Sequence, residues 1–116
     1  MNKDQAFIVL NTSFSRGSAT WCAPGCDRTA YLAEKSQQLL ACVIDPREVT
    51  IQGEMFHYGI QQQLNQTPLY AIAQYGENWL LYSPGQHVFS LAFGVSTAKL
   101  TVLGFASDDA LAEWLG

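Results

Sequence analysis

The stretch Leu69 to Phe93, LYAIAQYGENWLLYSPGQHVFSLAF, constrains the fold more than any other part of the chain. Successive side chains of a strand point to opposite sides, so apolar groups two residues apart mark a face that must be covered. In the first run Leu69, Ala71, Ala73 and Tyr75 share one side, with Tyr70, Ile72 and Gln74 on the other. The glycine-bearing GEN connection then predicts a hairpin to a strand over Trp79 to Tyr82. Pro84-Gly85 supplies the next turn, after which His87, Phe89, Leu91 and Phe93 alternate with Val88, Ser90, Ala92 and Gly94. A further strand is expected from Lys99 to Leu103, where Thr101 and Val102 are β-branched. Together these segments describe an antiparallel meander whose aromatic mass needs a second layer.

The final segment, SDDALAEWLG, can supply that layer. Ser107 is the expected N-cap, and Asp108 and Asp109 place negative charge beside the exposed N–H groups of the first turn. Leu111, Trp114 and Leu115 then form one apolar stripe. Upstream, Ala6 to Leu10 reads as a short buried strand because Phe7, Ile8 and Val9 are consecutive. Asn11 to Thr20 reads as a loop around Gly17, able to cover a ligand or simply to cross one end of a sheet.

Residues 27–44 support two readings. Asp27 can cap a helix along which Leu32, Ser36, Leu39 and Val43 recur at three- to four-residue spacing. Alternatively TAYLA and QLLACVI pair as a hairpin around EKSQ. The helix is preferred, with its second half open to strand. Asp45-Pro46 is expected to end whatever precedes it, since proline lacks a donor and holds residue 45 extended. Glu48 to Gln52 alternates as a half-exposed strand, and Met55 to Pro68 reads as a short helix or an irregular connection.

A chain of 116 residues holds one hydrophobic core and leaves little room for two, so residues 1–116 are expected to form a single compact domain. Charged residues make up only 14%, against roughly 25% in ordinary soluble domains. Solubility therefore rests on neutral polar groups, whose desolvation costs less than that of unpaired ions, and this fits a protein partner or a homo-oligomer, the alternative being a lightly charged monomer. The net charge is −4, and Lys3, Arg16, Arg28, Lys35, Arg47 and Lys99 form no run, which argues against nucleic acid as a direct partner. The apolar run near the N-terminus is too short for a secretory signal or a membrane span, so no membrane association is expected. With three cysteines, an odd number, a reducing cytoplasmic setting is the expectation.

The segment WCAPGC, Trp21 to Cys26, is the one stretch that suggests covalent chemistry. It resembles the thioredoxin active-site motif in its Trp-Cys start and its proline. The resemblance covers six residues and implies a thiol-dependent oxidoreductase, but three residues rather than two separate the cysteines, which changes the reach of a disulfide at a helix start. From the residues themselves, Cys26 beside a helix N-terminus can have its thiolate stabilised by backbone N–H groups, with Arg28 adding positive charge. Cys22 can then close a small ring over the Pro24-Gly25 turn. The competing reading is two structural cysteines on a tight turn.

Other sites are weaker. Cys22, Cys26 and Cys42 with His57 or His87 provide enough atoms for a metal, but no second close pair completes a cage, and no metal or cofactor is expected. Cys42 reads as a small buried hydrophobe. His87 alternates with Phe89 and Leu91 and reads as a partly buried histidine bonded to backbone rather than a general base. Asp108 and Asp109 are explained by capping, and Asp45, Glu54 and Glu77 show no paired spacing. The P-loop, dinucleotide, zinc-peptidase and serine-elbow motifs are absent from the sequence.

The expected architecture is α+β, a mostly antiparallel sheet covered by one or two helices. The leading functional expectation is a small noncatalytic interaction or regulatory protein that binds a protein partner or itself. Any exposed parts of Trp21, Tyr31, Phe56, Tyr58, Tyr75 and Trp79 are its candidate interface. The alternatives are the oxidoreductase using Cys22 and Cys26, and a small-ligand binding domain with its site under the Asn11 to Thr20 loop.

Overall fold

The computed structural model describes residues 1–20, 22–49, 69–85, 87–96, 100–102 and 107–115. In chain order these form helices α1 (Lys3–Ser15) and α2 (Arg28–Ala41), then strands β1 (Val43–Glu48), β2 (Tyr70–Tyr75), β3 (Asn78–Ser83), β4 (Val88–Phe93) and β5 (Thr101–Val102), and finally helix α3 (Ala110–Leu115). The fold is α+β. Among the described residues the sheet runs β1-β2-β3-β4-β5 and every pairing is antiparallel.

The largest departure from the sequence reading is at the start. Ala6 to Leu10 is not a strand but the middle of α1, and the expected loop begins only after Ser15. The reason lies in a capping box: Asn2 Oδ1 accepts from the Gln5 amide at 2.9 Å, and Gln5 Oε1 accepts from the Asn2 amide at 2.8 Å. Two orphan N–H groups are thereby satisfied at the helix start. Ala6, Leu10 and Ser13, spaced at helical intervals, face inward, whereas Ile8, counted as a strand-core residue, is 63% exposed.

Asp27 caps α2 as expected, accepting from the Ala30 amide at 3.2 Å. Leu32, Ser36 and Leu39 lie toward the interior, but the helix stops at Ala41, and Val43 opens β1 instead of extending the stripe. Pro46 does not end the preceding element. β1 continues through it, with a register break between Val43 and Arg47. β1 is the outer strand of the described sheet, and a bulge there tolerates a residue with no N–H to give the ladder.

The β2–β3–β4 meander follows the sequence expectation. Tyr75 pairs directly with Asn78, so the hairpin turn is the two residues Gly76 and Glu77, with Gly76 at φ +61°. A bulge in β2 changes one detail: Ala71 opposes Leu81 but Ala73 opposes Leu80, leaving Ile72 as the extra residue. Ile72 and Ala73 therefore both belong to the helix-side core, and Ala73 no longer shares a side with Leu69 and Ala71. The helix-side core joins Ala6, Leu10, Leu39, Leu80, Phe89 and Leu111, and burying each of its large side chains is worth about 1.5–3 kcal/mol. On the opposite face Leu69, Ala71, Trp79, Leu81, Ala92 and Leu100 form a second buried cluster.

Three helices rather than one or two meet the sheet, α1 being the addition. In α3, Ala110 and Leu111 are buried, Trp114 is half-buried against the helix-side core, and Leu115, expected in the same stripe, is 39% exposed. A six-residue helix is not stable alone, so this docking holds it. Its cap is Asp109, not Ser107: the Asp109 carboxylate accepts from the Ala112 amide at 3.0 Å. Ser107 instead forms an isolated bridge to Phe89, accepting its amide at 2.6 Å and donating in return at 3.0 Å. The expected strand positions at 50–52, the segment 55–68, and Lys99 and Leu103 lie outside the described residues.

Candidate functional site

The segment between α1 and α2 carries the one candidate for covalent chemistry. Pro24 and Gly25 are the central residues of a tight turn in which the Cys26 amide donates to the Ala23 carbonyl at 3.1 Å. Proline's fixed φ suits the first central position, and Gly25 at φ +86° occupies the second, the pattern of a type II turn. This turn folds Cys26 back toward Cys22 with their Cα atoms 6.5 Å apart, and the two Sγ atoms form a disulfide. Cys26 and residues 23–25 are exposed, while Cys22 is half-buried.

Neighbouring groups fix the base of this turn. Arg28, the first residue of α2, donates to the carbonyl of Thr20 at 2.6 Å and also to that of Ser18. Asp109 accepts from the Ser18 hydroxyl at 2.8 Å and from the Ala19 amide at 2.7 Å. The approach to Cys22 is thus held by α2 on one side and by the first turn of α3 on the other. This arrangement changes the expected electrostatics. Arg28 is turned to the carbonyls of the preceding loop, and Asp27, next to Cys26, takes an N–H of the first turn of α2. The loop over residues 16–20 borders an open recess of about 580 Å³ with Asp108 and Asp109, but Ser18, Ala19 and Asp109 spend their hydrogen bonds on one another.

The remaining candidates are dispersed. Cys42 is a free, half-buried thiol at the end of α2, packed against the helix-side core. His87 is exposed rather than partly buried, at φ +55°, and its Nδ1 lies 3.2 Å from the Tyr82 hydroxyl. Its amide donates to Ser83 O at 2.8 Å. His57 lies outside the described residues, as do Trp21, Phe56, Tyr58 and Glu54. Among the described residues, no group of three or more His, Cys, Asp and Glu side chains converges on a metal position.

Of the described aromatic candidates, Tyr75 is 70% exposed and Tyr31 is partly exposed, with Lys35 Nζ 5.6 Å from its ring centre. Trp79 is only 6% exposed and its indole donates to Gly94 O at 2.8 Å, so its area serves the protein's own packing. Phe93 and Val95 were not singled out by the sequence, yet they are 47% and 79% exposed. Asn78 faces Tyr75 on one side and Phe93 on the other, placing Tyr75 and Phe93 in one row across the sheet end. The signal was available in the register: the helix-facing alternation continues past the last residue that a helix covers.

Burial pushes the Tyr82 hydroxyl above its ordinary range, opposed by the positive charge of Arg16. Burial likewise raises Glu113, with the like charge of Asp109 adding to it and a Ser107 hydrogen bond opposing it. Among the described residues no helix is long and apolar enough to cross a membrane. No family model, curated protein or solved structure matches the chain.

Proposed function

We propose that the chain works as a thiol–disulfide exchange protein through Cys22 and Cys26. The observation that carries this reading is the disulfide joining a half-buried cysteine to an exposed one across the Ala23–Cys26 turn. That asymmetry suits two successive steps. The thiolate of exposed Cys26 attacks a disulfide of a protein or low-molecular-weight partner, forming a mixed disulfide and expelling one partner thiolate. Cys22 then attacks Cys26 Sγ, breaking the mixed disulfide and releasing the second partner thiol. The Cys22–Cys26 pair gives up two electrons and two protons, and the partner disulfide gains both. In a cytoplasmic setting such a pair is kept cycling rather than permanently closed.

The test uses the full chain with Cys42→Ser, so that only the pair reports. Equilibration in graded mixtures of reduced and oxidised glutathione, followed by alkylation and intact mass measurement, should give a single two-electron transition. Reduction of a disulfide substrate such as insulin by dithiothreitol should then be accelerated by this protein and not by its Cys26→Ser form. A pair that stays fully reduced at the oxidising limit, or an insulin rate unchanged by Cys26→Ser, overturns the reading.

A second, noncatalytic reading, association with a protein partner or a second copy, is supported by the exposed Tyr75, Phe93 and Val95. Aromatic groups in a row bury much area at an interface with little rotamer freedom to lose. Sedimentation of the wild type against Tyr75→Ser/Phe93→Ser tests it. Loss of a concentration-dependent larger species in the variant supports this reading, and identical monomeric behaviour rules out self-association by this row.

A further inference from the structure

A groove separate from the cysteine turn runs between the outer side of α1 and strands β2, β3 and β4. Its wider part, about 440 Å³, is predominantly apolar, with Ile8, Val9 and Tyr70 in its walls and the Tyr82–His87 pair along it. That volume lies in the range of small-molecule sites. A narrower part of about 260 Å³ shares Val9, Tyr82 and His87 and adds Arg16. Both parts are mainly apolar, the Tyr82–His87 pair lines both, and the narrower one adds the Arg16 charge and the Thr12 hydroxyl.

Two further observations bear on its occupant. Although the chain carries a net charge of −4, no Asp or Glu is among the described residues that line either part, whereas Arg16, His87, Tyr70, Tyr82 and Met1 all are. Arg16 Nη2 donates to the Asp108 carbonyl at 3.0 Å and its Nε lies 3.8 Å from the Asp108 carboxylate, an exposed ion pair of little strength in water, so a ligand here would share the guanidinium with Asp108. That charge also acts on the Tyr82 hydroxyl. His87 adopts a left-handed backbone that non-glycine residues seldom occupy, and this places its ring against Tyr82.

We propose that this groove binds a small carboxylic acid with an apolar tail, its carboxylate held at Arg16, His87 and Tyr82 and its tail laid against Ile8, Val9 and Tyr70. The carboxylate supplies the negative charge that the walls lack. Arg16 and His87 supply donors, and the apolar wall covers the tail. Nothing in this binding uses Cys22 or Cys26, so it is independent of the exchange chemistry.

The probe is sodium decanoate, with 1-decanol as the uncharged match, titrated into the full chain by calorimetry below the micellar range. One-to-one binding of decanoate is expected. Ile8→Asp, a change at an exposed position that puts a carboxylate beside the tail, should abolish it. Arg16→Gln should weaken decanoate by about tenfold, the size of one charge-assisted hydrogen bond, and leave decanol unaffected. The double variant Cys22→Ser/Cys26→Ser should bind as the wild type does, separating a failure here from a failure of the redox reading. Absence of saturable binding, an unchanged affinity in Ile8→Asp, or equal weakening of acid and alcohol by Arg16→Gln overturns the proposal.

Discussion

The Ser13 hydroxyl accepts the amide of Ala110 at 2.9 Å across a sequence separation of 97, and donates at 2.9 Å to the carbonyl of Asp108. One side-chain oxygen near the end of α1 thus takes up the first amide of α3 inside the protein. Ser13 is 1% exposed, so water does not replace it there. The Asp108 carbonyl has a second donor in Arg16 Nη2 at 3.0 Å, but the Ala110 amide has no other partner among the described residues. Ser13→Ala is therefore expected to destabilise by about 2 kcal/mol, the cost of one buried orphan donor plus the lost bond. Urea denaturation should show a lower midpoint with an unchanged slope, and a shift within error would remove Ser13 as the link between the two helices.

Asp109 performs a related task on the other side of the same turn. Its carboxylate caps α3 through Ala112 and holds Ser18 and Ala19. Asp109→Ala is expected to cost about 2–3 kcal/mol, a lost cap plus a loosened loop. Asp109→Asn should recover part of this, since asparagine caps as well but carries no charge. Amide exchange at Ala19 should quicken in the alanine variant, whereas unchanged protection would place the loop's anchor elsewhere.

Closing a ring between residues four apart restricts the unfolded chain only slightly. Reduction of the Cys22–Cys26 bond should lower stability by about 2 kcal/mol on loop entropy alone, with the folded state retained. Thermal melts with and without reductant measure this in the Cys42→Ser background. Complete unfolding on reduction would mark the bond as a structural staple instead of an exchangeable one.

Glu113 gives a pH dependence of definite sign. Burial raises its folded-state value above the unfolded one, so the protonated form is favoured in the fold. Its contribution to stability is then greatest below the ordinary carboxyl range and is lost as pH rises through the folded value. Glu113→Gln should accordingly raise the Tm at neutral pH, by an amount that solvent screening of this half-exposed group keeps small, and the gain should vanish in acid. A gain that persists below the carboxyl range would assign it to packing rather than ionisation.

The sheet half of the fold was legible because its information is local. Alternation from Leu69 to Phe93, a glycine turn at Gly76 and a Pro-Gly turn at 84–85 specify strands two to four almost without context. The turn at Pro24-Gly25 was also legible, whereas whether Cys22 and Cys26 close a ring over it stayed open in the sequence, since the turn fits structural thiols equally well. α1 was not legible as a helix because Phe7, Ile8 and Val9 carry a local strand signal, which the two hydrogen bonds of the Asn2–Gln5 capping box outweigh in the fold.

What the residue order alone determined, then, is the meander, the turn between the cysteines and the capped start of α2, each set by backbone preferences within a few positions. Tertiary structure decided which face of each element was covered. It shifted Ala73 across the sheet through a bulge, carried β1 through Pro46, moved the cap of α3 from Ser107 to Asp109, and brought Arg16, Tyr82 and His87 to one groove. These outcomes depend on contacts between segments far apart in the chain, where burial and the satisfaction of buried amides outweigh local propensity.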